Sequence, residues 1–506
     1  MGQHLAATLF TASDQARYRH RIHRCLEAFG RMVTEGRFAA DEPSTGVEIE
    51  LALVDEDMRP AMLNHAVLDR SASDVLTSEL GRWNLEINLP PRMLPGATAR
   101  DLEKDMLDAV SSAGECARGV GASAVTIGIL PTLGAEHLAS DQLTEDPRYA
   151  LLNRQMHTAR GEPYRLDITE PPAARGGPSD GSPAEHLVLD VDSIAPEAAC
   201  TSLQLHLQLT PETFPAYWNA AQAVAGLQVA LAANSPFLLG RRLWAETRVP
   251  LFTQAVDTRP VELRNQGVRP RVWFGDRWAQ SAYDLFEENV RYFGALLPLA
   301  EDEDPFHELD AGRAPSLHEL RLHNGTVYRW NRPIYDTHGG RPHLRVENRV
   351  LPAGPSIADI MANAAFYYGT MRVLAEEDRP VWTRMSFSAA EANFEEGARL
   401  GIDARAYWPG FGDVPASELI LRRLLPMAHE GLSKWGVSSA VRDRFLGIVE
   451  QRCLKGVNGA SWQTTCVERL ETRGLTRDKA LREMLRLYME GQSANEPVHT
   501  WELPTA

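Results

Sequence analysis

The chain has 506 residues, with 52 Lys and Arg against 68 Asp and Glu for a net charge of −16, and 44% hydrophobic residues. This length can bury a large core, and the apolar and charged fractions exclude a disordered or fibrous chain. The acidic excess disfavours nonspecific binding to nucleic acid or an anionic membrane, while a local basic site remains open. Cys25, Cys116, Cys200, Cys453 and Cys466 are scattered, with no C-x-x-C pair, and read as reduced thiols. The start, MGQHLAATLF, lacks a basic segment ahead of an apolar run, and Ala6 breaks the myristoylation pattern. The most apolar run, 220–233, carries Gln222 and Gln228 and is too short to span a bilayer. The expectation is a cytoplasmic, soluble protein with neither a membrane nor a nucleic-acid partner.

In chain order, helical periodicity covers 14–36, and GVEIELALVD (46–55) alternates as a strand. A second strand, 84–89, is expected to close at Pro90-Pro91. An amphipathic helix over 98–118 precedes a strand at 124–130 that stops at Pro131. Residues 133–185 read as irregular, with RGGPSDGSP (175–183) an exposed loop. A strand over 201–209 leads into a long helix ending at Asn234-Ser235-Pro236. Further strands are expected near 326–330 and 343–351, and a helix over 357–377. Beyond about 385 the pattern is helical (416–434, 438–456, 461–472, 476–490). The fold class expected is therefore α+β, with an antiparallel or mixed sheet in a domain over 1–385 and a helical region over 386–506. There is no internal repeat.

Three familiar motifs fail. Gly119, Gly121 and Ala124 fit G-x-G-x-x-A, but the match follows a helix and precedes a strand, the reverse of a dinucleotide fingerprint. His318-Glu319 with His323 is one residue too long for H-E-x-x-H, which on a helix puts the imidazoles about 140° apart. No G-x-x-x-x-G-K-[ST] occurs, so any ATP is held without a P-loop.

The informative feature is acids inside apolar strands. Glu48 and Glu50, at i and i+2, project from one strand face about 6.5–7 Å apart, while Ile49 and Leu51 point into a core. An isolated E-x-E is more often a solvated strand face. Like charges on one face repel unless a cation sits between them, and hard cations such as Mg²⁺ take that oxygen environment, often shared with phosphates. Further segments strengthen the metal reading. Glu79 and Glu86 flank GRWNL; Gln204, His206 and Gln208 share one face of TSLQLHLQL; Arg345, Glu347 and Arg349 share one face of HLRVENRVLP. An acidic ligand beside guanidiniums suits phosphate chemistry.

At this point GVEIELALVD, ELGRWNLEINLPP, TSLQLHLQLTPETF, ALAANSPFLLGRRLWAETRVPLF and LRVENRVLPAGPSIADIMANAAFYYG together resemble the glutamate–cysteine ligase type 2 family of carboxylate–amine ligases, over about residues 44–380. ANSPF with its Gly-Arg turn is the most specific element. The resemblance implies a glutamine synthetase-like catalytic funnel, a curved antiparallel sheet holding ATP at one end and an amino acid at the other. It also implies an amide-forming ligase that works through an acyl phosphate, with ATP and two or three Mg²⁺ or Mn²⁺ ions as cofactors.

Carried over residue by residue, the resemblance implies that Glu50, Glu79 and Glu86 hold one metal, and Glu48 and Glu347 the ATP-side metal with Gln204 in its shell. His206 would lie beside the phosphates, Arg349 near the transferred phosphoryl group, Arg248 toward substrate or phosphate, and Arg332 on phosphate. Arg148, Tyr149 and Asn153 are candidate substrate contacts in a segment with no clear match. Two departures stand out: Gln204 replaces a His common in relatives, and Pro352 stands near a position where relatives have Asp. The leading expectation joins glutamate to cysteine. The same chemistry on another acid or amine, and a non-catalytic regulatory relative, remain alternatives. Partners are small-molecule amino acids, with a homo-oligomer left open.

Overall fold

The computed structural model describes residues 10–39, 43–94, 98–172 and 184–505; the expected loop 175–183 lies outside the described residues. The central sheet has seven antiparallel strands: β1 (Ser44–Val54), β2 (Leu76–Ser78), β3 (Asn84–Met93), β4 (Ser123–Val125), β5 (Ser202–Leu209), β6 (Asn331–His338) and β7 (Arg341–Pro352). Their order is β6-β7-β5-β1-β3-β2, with β4 paired to the C-terminal end of β1. The sheet curls into a half-barrel within an α+β fold.

One face follows from the period of two. Ile49, Leu51, Leu85, Ile87, Leu203, Leu205, Leu207 and Val346 are buried together in the main core. Helices Phe214–Ala232 and Ile357–Ala375 contribute to the same core. Gln222 and Gln228, which interrupt the apolar run of the first helix, are its polar attachments to the sheet. Gln222 Oε1 accepts from Asn331 Nδ2 (2.7 Å), and Gln228 Nε2 donates to Asn348 Oδ1 (3.3 Å). From the second helix, the Tyr368 hydroxyl donates to His206 O (2.9 Å).

The helices after residue 386 share this core. Helix Leu425–Lys434 approaches Ile357–Ala375 so closely that a Cβ on Gly431 would stand 1.8 Å from Gly369 O. In helix Arg477–Ser493, the Tyr488 hydroxyl donates to Thr126 O (2.9 Å) and accepts from Asn234 Nδ2 (2.8 Å).

The structure departs from the sequence reading in five places. β3 runs on through Pro90-Pro91 to Met93, because an extra residue there forms a bulge against Thr45–Val47, where no proline N–H is needed. The strand expected over 124–130 pairs only over 123–125. Beyond it, Gly128 O accepts from Thr201 N (3.0 Å) and Ile127 O from Thr201 Oγ1, so Ile127, Ile129 and Leu130 stay buried without a ladder. Residues 133–185 are not irregular throughout. Helix Pro147–Arg160 is capped by Asp146, begins with proline and ends at Gly161 with φ 76°, and Tyr164–Thr169 pairs with His186–Val191. The strand expected near 326–330 is only Tyr328–Arg329, and β6 follows it, its Pro333 tolerated on an edge strand. A helix Phe387–Leu400 and a strand pair, Arg405–Trp408 with Gly412–Pro415, also lie in the C-terminal region.

Candidate active site

The face opposite the leucines carries the acids. Glu50 on β1 pairs with Glu86 on β3, Glu48 pairs with Gln204 on β5, and His206 pairs with Glu347 on β7. An extra residue after Asn348 bulges β7, and Arg349 reaches Gln204 and Glu347 from there. Glu79 enters between β2 and β3, with Leu80 N donating to its Oε2 (2.9 Å). Two groups result. Glu50, Glu79 and Glu86 each offer an oxygen within 4.8 Å of the others, and Glu48, His206 and Glu347 do the same.

The first group has an excess of negative charge. Burial, then the Glu50 charge, pushes the Glu79 carboxyl up to about 7. Burial, then Glu79, pushes Glu86 up to about 9. Burial also raises Glu50, against the opposing pull of Arg349 and of Ser202, whose N and Oγ donate to it at 2.6 and 2.9 Å. Three clustered carboxyls, each resisting ionisation, fit a hard divalent cation, which would remove the repulsion and accept their oxygens.

The second group is already compensated. Arg332 grips Glu347 through two bonds, and Arg349 Nη1 lies 3.4 Å from Glu347 Oε1. Burial opposes ionisation of Glu347, but Arg332, Arg349 and His206 together hold its carboxyl far below the usual range. Glu48 is also lowered, by His206 against the cost of burial. Gln204 ties the groups together: its Nε2 donates to Glu50 (3.0 Å) and its Oε1 accepts from Arg349 (2.7 Å). His206 Nδ1 accepts from Arg345 Nε (3.1 Å), so a neutral ring carries its proton on Nε2. That Nε2 lies 3.0 Å from Glu48 Oε1, though without hydrogen-bond alignment.

A cavity of about 70 Å³ beside the first group is bordered by Glu50, Glu79, Arg248 and Arg349. Arg248 is buried and held by Glu246 (Nε, 2.7 Å) and Val350 O (Nη2, 2.8 Å). Glu246 also accepts from Asn234 N and Ser235 Oγ, each at 2.9 Å, which explains why ANSPF and the downstream Glu-Thr-Arg occur together. Tyr149 is half-buried; burial first, then Glu79, raises its phenol. Asn153 instead accepts from Ile194 N (3.0 Å), and Arg148 is exposed at a helix start.

Three residues at the site were not singled out in the sequence. Ser202 opens β5 and orients Glu50, which its alternation with Gln204 and His206 could have indicated. Asn84 and Glu197 border the cavity. Glu197 sits in PEAAC ahead of a strand, where no local signal distinguishes it from a surface acid.

A sequence profile of glutamate–cysteine ligase family 2 matches residues 44–484, reaching beyond the segment in which the resemblance was legible. Among solved structures, the chain is similar to a glutamate–cysteine ligase from Francisella tularensis in complex with AMP. The identity is 11%, with 93% of this chain and 91% of that one covered at a TM-score of 0.54. It also matches a bifunctional glutathione synthetase from Pasteurella multocida, at 12% identity, 92% and 54% coverage and a TM-score of 0.47. A search of curated protein sequences finds no match.

Proposed function

The chain belongs to glutamate–cysteine ligase family 2, and from that premise we propose an ATP-dependent carboxylate–amine ligase that joins the side-chain carboxylate of glutamate to the amine of cysteine. The observation that carries this reading is the juxtaposition of an uncompensated acid trio with an arginine-compensated acid pair on one sheet face. Phosphoryl transfer needs charge neutralisation and positioning more than covalent help from side chains.

In the proposed reaction, a carboxylate oxygen of the acid attacks the γ-phosphorus of ATP and ADP leaves, giving an acyl phosphate. The amine nitrogen then attacks the acyl carbon, the C–O bond to phosphate breaks, and the amine proton goes to solvent. Glu50, Glu79 and Glu86 would hold one divalent cation, and Glu48 and Glu347 another. Such ions, when bound, neutralise phosphate oxygens. Arg332 and Arg349 supply guanidinium charge beside the phosphates, and the Nε2–H of His206, set by Arg345, offers a donor there.

Purified protein with ATP and Mg²⁺ tests this through ADP release and product mass. Release that needs both glutamate and cysteine, with a dipeptide product, supports the reading. Release with a different pair keeps the chemistry and changes the substrate. No release with any pair, from folded protein, overturns it.

A further inference from the structure

The cavity beside the acid trio carries polar groups that neither metal group uses. Asn84, at the start of β3, is 2% exposed, and neither its Oδ1 nor its Nδ2 has a hydrogen-bond partner among the described residues. Glu197, in the short turn Ala195–Ala199, has no hydrogen-bonding or ion-pairing side-chain partner among the described residues. Both border the cavity, together with Arg248 and the rings of Phe252 and Trp330. The two bonds that hold Arg248 use Nε and Nη2 and leave Nη1 over.

Buried polar groups are rarely left unpartnered in native interiors, because each has lost its water without a replacement. A ligand that completes Asn84 removes that cost, and the half-buried Glu197 stands on the same cavity to share that ligand. Its charge follows from the surroundings: the carboxyls of Glu197, Glu79 and Glu50 border the same cavity, and their combined negative charge favours a cation beside Glu197. A divalent ion is the poorer occupant, since it wants several oxygens at once and Glu197 belongs to neither group of converging ligands. An organic ammonium needs one carboxylate and one neutral acceptor, and aromatic faces suit it.

We propose that Glu197 and Asn84 form the subsite for the α-ammonium group of the amino acid whose side-chain carboxylate is activated. Glu197 is the counter-charge and Asn84 Oδ1 a second acceptor. Asn84 Nδ2 and the unused Arg248 Nη1 supply donors for the α-carboxylate of the same molecule. The assignment rests on the ligase reading above and makes the enzyme selective for an amino acid over a plain dicarboxylate of the same length.

The test compares L-glutamate with glutarate, which lacks only the amino group, in ADP release at saturating ATP, Mg²⁺ and amine. Wild-type protein is expected to prefer glutamate strongly. Glu197→Gln should raise the KM for glutamate about 10- to 100-fold and leave glutarate unchanged, so that the preference collapses. Glu197→Asp should restore part of it. Asn84→Ser, read in the same ratio, serves if the glutamine variant does not fold by its thermal midpoint. An unchanged glutamate-to-glutarate ratio in folded Glu197→Gln overturns the subsite, as does a rise confined to the KM of the amine substrate. Absence of acid-dependent ADP release from the wild type is a different result: it overturns the ligase reading, and the subsite with it.

Discussion

Arg332 on β6 holds Glu347 on β7 with two hydrogen bonds, Nε to Oε2 at 2.5 Å and Nη2 to Oε1 at 2.9 Å, between directly paired strand residues. The fork fixes the orientation of a carboxylate that also lies close to His206 and Arg349. Lysine keeps the charge and loses the fork. Arg332→Lys should therefore lower kcat for ADP release about 10²-fold with little change in thermal midpoint. Near-wild-type turnover would remove Arg332 from the site.

Glu50 is held by Ser202 and Gln204 and stands in the acid trio. Glu50→Gln keeps the shape and removes the charge, so turnover should fall about 10³-fold in protein that still folds. Ser202→Ala spares the ligand but frees its orientation, and the Mg²⁺ concentration for half-maximal activity should rise about 10-fold. A titration of activity against Mg²⁺ separates the two effects; an unchanged curve for Ser202→Ala counts against Glu50 as a ligand.

The raised carboxyls give the cation-free protein a pH signature. When both states carry the proton, below the unfolded value of about 4.3, a raised carboxyl costs nothing. Above it the unfolded chain releases these protons while the fold keeps them, so stability is lost progressively up to about 7 for Glu79 and about 9 for Glu86, where the loss is complete. Melting in chelator should therefore worsen from about pH 5 to 9, and added Mg²⁺ should restore most at the alkaline end. Glu86→Gln should flatten the slope. A Mg²⁺ shift that is equal at every pH argues against the trio as a cation site.

Gly431 has no room for a side chain, because Gly369 O lies where its Cβ would go. Gly431→Ala must push helix Leu425–Lys434 away from Ile357–Ala375, at a cost of about 1–3 kcal/mol by denaturant unfolding. A neutral result would mean that the two helices separate freely.

Much of the site was legible because strand alternation is a strict code. Glu48, Glu50, Gln204, His206 and Glu347 could be assigned to one face from their neighbours alone, and the structure brings those strands together. Where two segments meet is a different matter. That His206 stands opposite Glu347, and that Arg332 lies across from the same acid, depend on registers set by distant segments. Glu197 and Asn84 stayed hidden for the same reason: each looks ordinary until Arg248 and the first acid group are folded around it. The helix over 147–160 could have been read from its own caps, since aspartate, proline and a terminal glycine were all present. β6 was obscured by Pro333, whose tolerance depends on an edge position that the sequence does not state.

The strand order has a consequence for how the chain comes into being. β1 pairs with β5, and β5 with β7, so Glu48 and Glu347 meet across nearly three hundred residues. During synthesis, the first acids emerge long before the strand that brings their arginines. Until β5 is made, β1 has an unfilled edge, and its Glu48 and Glu50 wait longer still for the arginine of β7. Tyr488 bonds Thr126 and Asn234 only once helix Arg477–Ser493 has left the ribosome. Closure of the sheet is thus a late, long-range event of the slow kind expected of distant pairings. Before helix Arg477–Ser493 is made, the partly paired sheet is the kind of intermediate that is prone to aggregate.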